Sequence, residues 1–138
     1  MHPWIYVGIA DHQRGPSLQR YIDPDNQEPI VQIIMAINQG FGVSMEEIQS
    51  GTRLREVVEA RHTLMWFLKK YTRWTHSKIG KLLHRDHSSV THAIGSVINL
   101  VEVDREFKKK VDYAEGLFLM ISQQKRWEME LSRQHKVA

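Results

Sequence analysis

Residues 75–101 read THSKIGKLLHRDHSSVTHAIGSVINLV, and the periodicity of this stretch decides the fold. It predicts two helices joined by a very short turn. The first turns Ile79, Leu82 and Leu83 inward. The second carries Val90, Ile94, Val97, Ile98 and Val101, at i, i+4, i+7, i+8 and i+11, which is one face of a 3.6-residue period. His84-Arg85-Asp86 lies between them, with Asp86 placed to cap the second helix through its carboxylate. Just past the cap come His87, Ser88, Ser89, Thr91 and His92, which are polar and lie before or beside the apolar stripe. A helix buried along one side, with a polar hydrogen-bonding first turn, is what a DNA major groove accepts. The pattern is that of a helix-turn-helix.

Working outward, the upstream chain reads as three more helices. Pro29 suits a first helical turn, Ile30, Ile33, Ile34 and Ile37 follow at helical spacing, and Gly40 and Gly42 end the run. Ser44-Met45-Glu46-Glu47 is a capping box, with Val43 and Ile48 as its hydrophobic staple, and this short helix stops at Gly51. Thr52-Arg53-Leu54-Arg55 forms a basic connection. A third helix then runs to about Tyr71, burying Val57, Val58, Leu64, Met65 and Leu68, with Arg61 on its exposed side or beside the loop. Thr75 is the expected N-cap of the next helix.

Downstream, Asn99 or Asp104 should separate the second helix of the motif from a last one bearing Phe107, Val111, Ala114, Phe118 and Ile121 on one face. Gly116 weakens that helix locally. The polar stretch from Gln123 to Val137 continues it, either packing back or pairing with a second copy. Residues 1–26 have no period. Trp4 to Val7 could form a short extended arm or strand, and Gly15-Pro16 and Asp23 to Asn26 mark turns. The expected organisation is an all-α helical bundle, with an arm at 1–26, the helix-turn-helix domain at 27–115 and a helical extension at 116–138.

Composition narrows the class. The 138 residues contain no cysteine, which excludes disulfides and thiolate metal sites. No apolar run approaches a membrane span and no signal-peptide core is present, so a soluble, cytoplasmic protein without a membrane partner is expected. The formal net charge is only +3, but from Arg53 to His92 nine Lys/Arg face three acids. Positive charge is thus concentrated on the segment that carries the reading helix, as a phosphate-binding surface requires.

Ile79-Gly80 followed by Arg85-Asp86-His87-Ser88-Ser89-Val90-Thr91-His92-Ala93 closely resembles the signature of the C-terminal DNA-binding domain of DnaA, the bacterial chromosomal replication initiator. That family pattern has an Ile-Gly pair, a Gly-rich turn, Arg-Asp-His-Thr-Thr-Val and a downstream His-Ala. The similarity extends roughly from Ile30 to Val111, with matching register upstream at Arg53 and Arg61. It implies a DnaA-like helical bundle that binds double-stranded DNA, with sequence specificity, in replication initiation or its regulation. It implies Asp86, His87 and Ser88 as base readers in the major groove, and Arg53 as a loop arginine in the adjacent minor groove. Arg55, Arg61, Lys69, Lys78, Arg85, Ser89, Thr91 and His92 are the implied backbone contacts.

Three departures stand out. A single His84 replaces the family's Gly pair, which shortens the turn by one residue. Ser88 and Ser89 replace two threonines, removing methyl groups able to touch thymine. No phosphate-loop motif is present, so the expectation is a stand-alone module without the ATPase part, with no nucleotide and no cofactor, and not an enzyme. One other class is a metal-dependent nuclease built on His76, His84, His87, His92 and Asp86. The spacing does not place these histidines on one helical face. Another is a protein-interaction module that kept the fold without binding DNA. Trp66, Trp74 and Trp127 read as core or interface residues, and the C-terminal helix is a candidate for homo-oligomer formation.

Overall fold

The first helix is buried on nearly every side, and the others are packed around it. A computed structural model describes residues 29–137; the arm expected at 1–26 lies outside them. The described chain forms α1 (Ile30–Phe41), α2 (Met45–Gln49), α3 (Arg55–Tyr71), α4 (His76–Leu83), α5 (His87–Val103) and α6 (Arg105–Val137), with no strand among the described residues. Ile30 to Asn38 are all buried, as expected of a helix that is apolar all round. α1 lies between α3 and α6. A Cβ on Gly40 would stand 2.9 Å from the Ala114 Cβ, so the glycine lets α1 and α6 cross closely.

The local signals explain the boundaries. Gly42 adopts a left-handed conformation, φ 69°, and its N–H donates to the Asn38 carbonyl to close α1, the conformation glycine takes without strain. Pro29 stands just outside α1 as its N-cap. In the capping box, Glu47 N–H donates to Ser44 Oγ at 3.1 Å and Ser44 N–H donates to Glu47 Oε1 at 2.9 Å. Thr75 Oγ1 accepts from Lys78 N–H at 3.1 Å and Asp86 Oδ1 from Ser89 N–H at 2.8 Å, each cap contributing about 1 kcal/mol.

Of the two expected breaks after the motif, Asp104 is the one used. Its N–H closes α5 on the Leu100 carbonyl at 2.7 Å, and its carboxylate accepts from Phe107 N–H at 3.1 Å to start α6. The α5 stripe departs from expectation at one position, since Ile94 and Val101 pack against the core with Val90 and Val97 as expected. Val90, Ala93 and Val97 are buried, whereas Ile98 is 46% exposed. Ala93 belongs to the packed face, and a stripe through 90, 93 and 97 is rotated away from 98.

α6 runs unbroken through Gly116. Phe107, Val111, Ala114, Leu117, Phe118 and Ile121 are all buried, so the packed core continues along α6 to Ile121. No described helix is long and apolar enough to cross a membrane.

Candidate nucleic-acid interface

Three pieces meet at one end of the bundle: the loop 50–54, the turn 84–86 and the first turns of α5. The turn is tight because His84 takes the left-handed conformation, φ 58°, which is uncommon for a side chain other than glycine. Arg85 N–H then donates to the Gly80 carbonyl at 2.8 Å. A Cβ at Gly80 would lie 2.3 Å from the Arg85 carbonyl oxygen, so only glycine lets the turn fold back onto α4. That is the physical content of the Ile79-Gly80 pair.

The nose of α5 is open. Asp86, His87, Ser88, Ser89, Thr91 and His92 are all exposed, while Val90 and Ala93 anchor the helix behind them. Asp86 uses one oxygen on its cap. The N–H of Ser89 and its neighbours hold the Asp86 carboxyl below its ordinary pKa, so it is ionised and keeps acceptor capacity. Thr91 is partly committed: its hydroxyl donates to the His87 carbonyl at 3.0 Å and lies 2.7 Å from His76 Nδ1. With the Thr91 proton used on His87, the His76 ring is the donor, and this pair ties the start of α4 to α5.

Two of the expected phosphate contacts turn inward. Arg61 is 5% exposed, which corrects its placement on the outer side of α3 and bears out its position beside the loop. Its Nε donates to the Ile48 carbonyl at 2.7 Å, and its Nη2 to those of Ser50 at 3.0 Å and Thr52 at 3.2 Å. The five-residue α2 leaves its last carbonyls without intrahelical partners, and the guanidinium satisfies that of Ile48 together with two in the loop beyond. Arg85 donates through Nη2 to the Ser50 carbonyl at 2.7 Å and through Nη1 to those of Leu83 at 2.9 Å and His84 at 3.2 Å. Arg61 therefore ties the loop to α3, and Arg85 ties the turn to the loop.

Arg53 stands on that clamped loop, exposed. Arg55 is exposed but pairs with Glu59 at 3.3 Å and Asp104 at 3.8 Å. Asp104 closes the opposite end of the 17-residue α5 from Asp86, about 25 Å away at 1.5 Å per residue. Arg55 is therefore not brought to the nose. Lys69 and Lys78 are exposed, and Lys78 Nζ lies 4.6 Å from the Trp74 ring centroid.

One residue absent from the sequence reading belongs here. His62 is half-buried and, with Arg61 and Met65, faces Arg85, Ser88 and His92 across an open cleft of about 420 Å³. Burial, then the nearby Arg61, His92 and Arg85, push its pKa down. Positions 61, 62 and 65 share one strip of α3, a spacing visible in the sequence, but the direction that strip faces is set by packing.

The histidines of the nuclease reading do not converge. His84 occupies the turn and His76 is bonded to Thr91, and no group of three or more His, Cys, Asp or Glu among the described residues could hold a metal ion.

Residues 30–97 match the family model described as the bacterial DnaA protein helix-turn-helix. The chain is 47% identical over 73 residues to the chromosomal replication initiator DnaA of Flavobacterium psychrophilum, covering 52% of this chain and 15% of that protein. It is 37% identical over 86 residues to the DnaA of Bacteroides thetaiotaomicron, covering 62% and 18%. With the DnaA of the Wolbachia of Brugia malayi it shares 31% over 90 residues, 64% and 20%. The chain thus spans a fifth or less of these relatives.

Proposed function

We propose that this protein binds double-stranded DNA at a specific short sequence, in replication initiation or its regulation, a reading supported by the match of residues 30–97 to the bacterial DnaA helix-turn-helix model. The nose of α5 enters the major groove, where His87 and Ser88 meet base edges and the exposed Asp86 carboxylate accepts from a cytosine amino group. Ser89, His92, Lys69 and Lys78 take phosphates. Arg53 enters the neighbouring minor groove, whose narrow, electronegative form favours an inserted guanidinium. The binding needs no nucleotide. Arg61 and Arg85 act as positioning residues that fix the angle between the two reading elements.

The observation that carries this reading is the exposed, polar first turn of α5 standing beside a loop that Arg61 holds to α3 and Arg85 ties to the turn leading into α5. Binding to a duplex measured across a salt series tests it. Each phosphate contact contributes a log–log slope of about −0.9, so four such contacts give a steep dependence. A flat response would instead fit a protein-interaction module on the same fold.

A further inference from the structure

α6 carries two apolar stripes, and the domain uses only one. Phe107, Val111, Ala114, Phe118 and Ile121 are buried, whereas Tyr113, Met120, Trp127 and Leu131 are 58%, 52%, 65% and 55% exposed. Residues 113, 120 and 127 are seven apart and 131 follows four later, so at 3.6 residues per turn all four lie within about 40° of one line. A seven-residue repeat of exposed apolar side chains is the pattern by which one helix packs along another.

The far end of α6 points the same way. From Ser122 to Gln134 no residue is buried, and Lys125 to Gln134 are exposed. An unsupported helix of about 15 residues is marginal in water. The pairs along it among residues 122–134 are weak and exposed, such as Arg133 with Glu130 at 3.3 Å.

We propose that two copies of this chain pair antiparallel through the Tyr113–Met120–Trp127–Leu131 face of α6, about a two-fold axis near Leu119 and Met120. The charges set the direction. In that arrangement Asp112 lies level with the partner's Arg126, and Lys109 with the partner's Glu130, on one flank of the stripe. On the other flank Lys110, which also pairs with Glu59 at 2.9 Å, lies level with the partner's Glu128. A parallel pair would instead bring Glu128 and Glu130 of both copies to one level, a repulsive ring. The present partners of Asp112 and Lys109 are Lys108 and Glu106, exposed intrahelical pairs that contribute little and rearrange readily. Gly116 lies close to the axis, and nothing stands within 4 Å of a Cβ built there, so the two backbones can approach. The contact is isologous, as a two-fold dimer requires. It deepens the reading of α6 as a self-association helix and does not depend on DNA binding.

The chain contains no cysteine, so single introduced thiols report the register. Sedimentation of the full chain at micromolar concentration should give a dimer, and Trp127→Glu should give a monomer that keeps the helical content of the domain and loses some from the unsupported end of α6. Under oxidation, Met120→Cys should cross-link to itself. Trp127→Cys should cross-link with Tyr113→Cys but not with itself. A monomeric wild type, a dimer that survives Trp127→Glu, or self-cross-linking of Trp127→Cys as efficient as that of Met120→Cys would each overturn the proposal.

Discussion

Arg61 and Arg85 donate to the same acceptor, the carbonyl oxygen of Ser50, at 3.0 and 2.7 Å. Two like charges meeting there oppose each other, and burial together with Arg85 lowers the Arg61 pKa. The surrounding carbonyls of Ile48, Thr52, Leu83 and His84 offset that repulsion. Arg61→Met should therefore cost about 2–3 kcal/mol in urea denaturation, because it strips buried carbonyls of a charged donor. Arg85→Ala should cost less, since Arg85 is only half-buried. The pair should be non-additive in a double-mutant cycle.

Gly80→Ala tests the turn. Its Cβ would meet backbone, the Arg85 carbonyl oxygen at 2.3 Å, and backbone cannot yield as a flexible side chain can. A loss of about 1–3 kcal/mol is expected, with weakened DNA binding because the displaced turn carries α5. Gly95→Ala is the control. It lies within α5 with nothing inside 4 Å of a built Cβ, and should stabilise by up to about 1 kcal/mol.

His62 makes stability and binding depend on pH in opposite ways. Its pKa is lowered in the folded chain, so below about pH 6.5 the unfolded state binds the proton more readily, and stability should fall as pH drops through that window. His62→Gln should flatten this slope in thermal denaturation. A DNA phosphate in the cleft would raise the His62 pKa instead. Affinity should then increase from about pH 8 to about pH 6 in the wild type and change less in His62→Gln.

Arg53→Ala should weaken DNA binding without changing the melting temperature, since Arg53 is exposed. His87→Ala should cost about 1–3 kcal/mol of binding and relax the preferred base. Fluorescence anisotropy on matched and single-base-altered duplexes separates the two effects.

Much of the fold was legible because caps and stripes are local. The Ser44 box, the Thr75 and Asp86 caps and the Phe107–Ile121 face need only spacing to be read. The α5 stripe was misplaced at Ile98 because Ala93 carries little apolar weight in a pattern yet packs fully. At the candidate site, the nose at 86–92 followed from the motif. The inward roles of Arg61 and Arg85 did not, because they depend on which carbonyls α2 leaves unpaired after folding. Nor did the facing of His62 toward His92, which a helix–helix packing angle decides.

Selection of bound duplexes from a random DNA library at near-physiological salt tests the central claim most directly. Enrichment of one short motif, lost when His87 and Arg53 are both replaced by alanine, is the predicted result. Duplexes retained without enrichment would contradict sequence-specific reading, and no retention at all would contradict DNA binding itself.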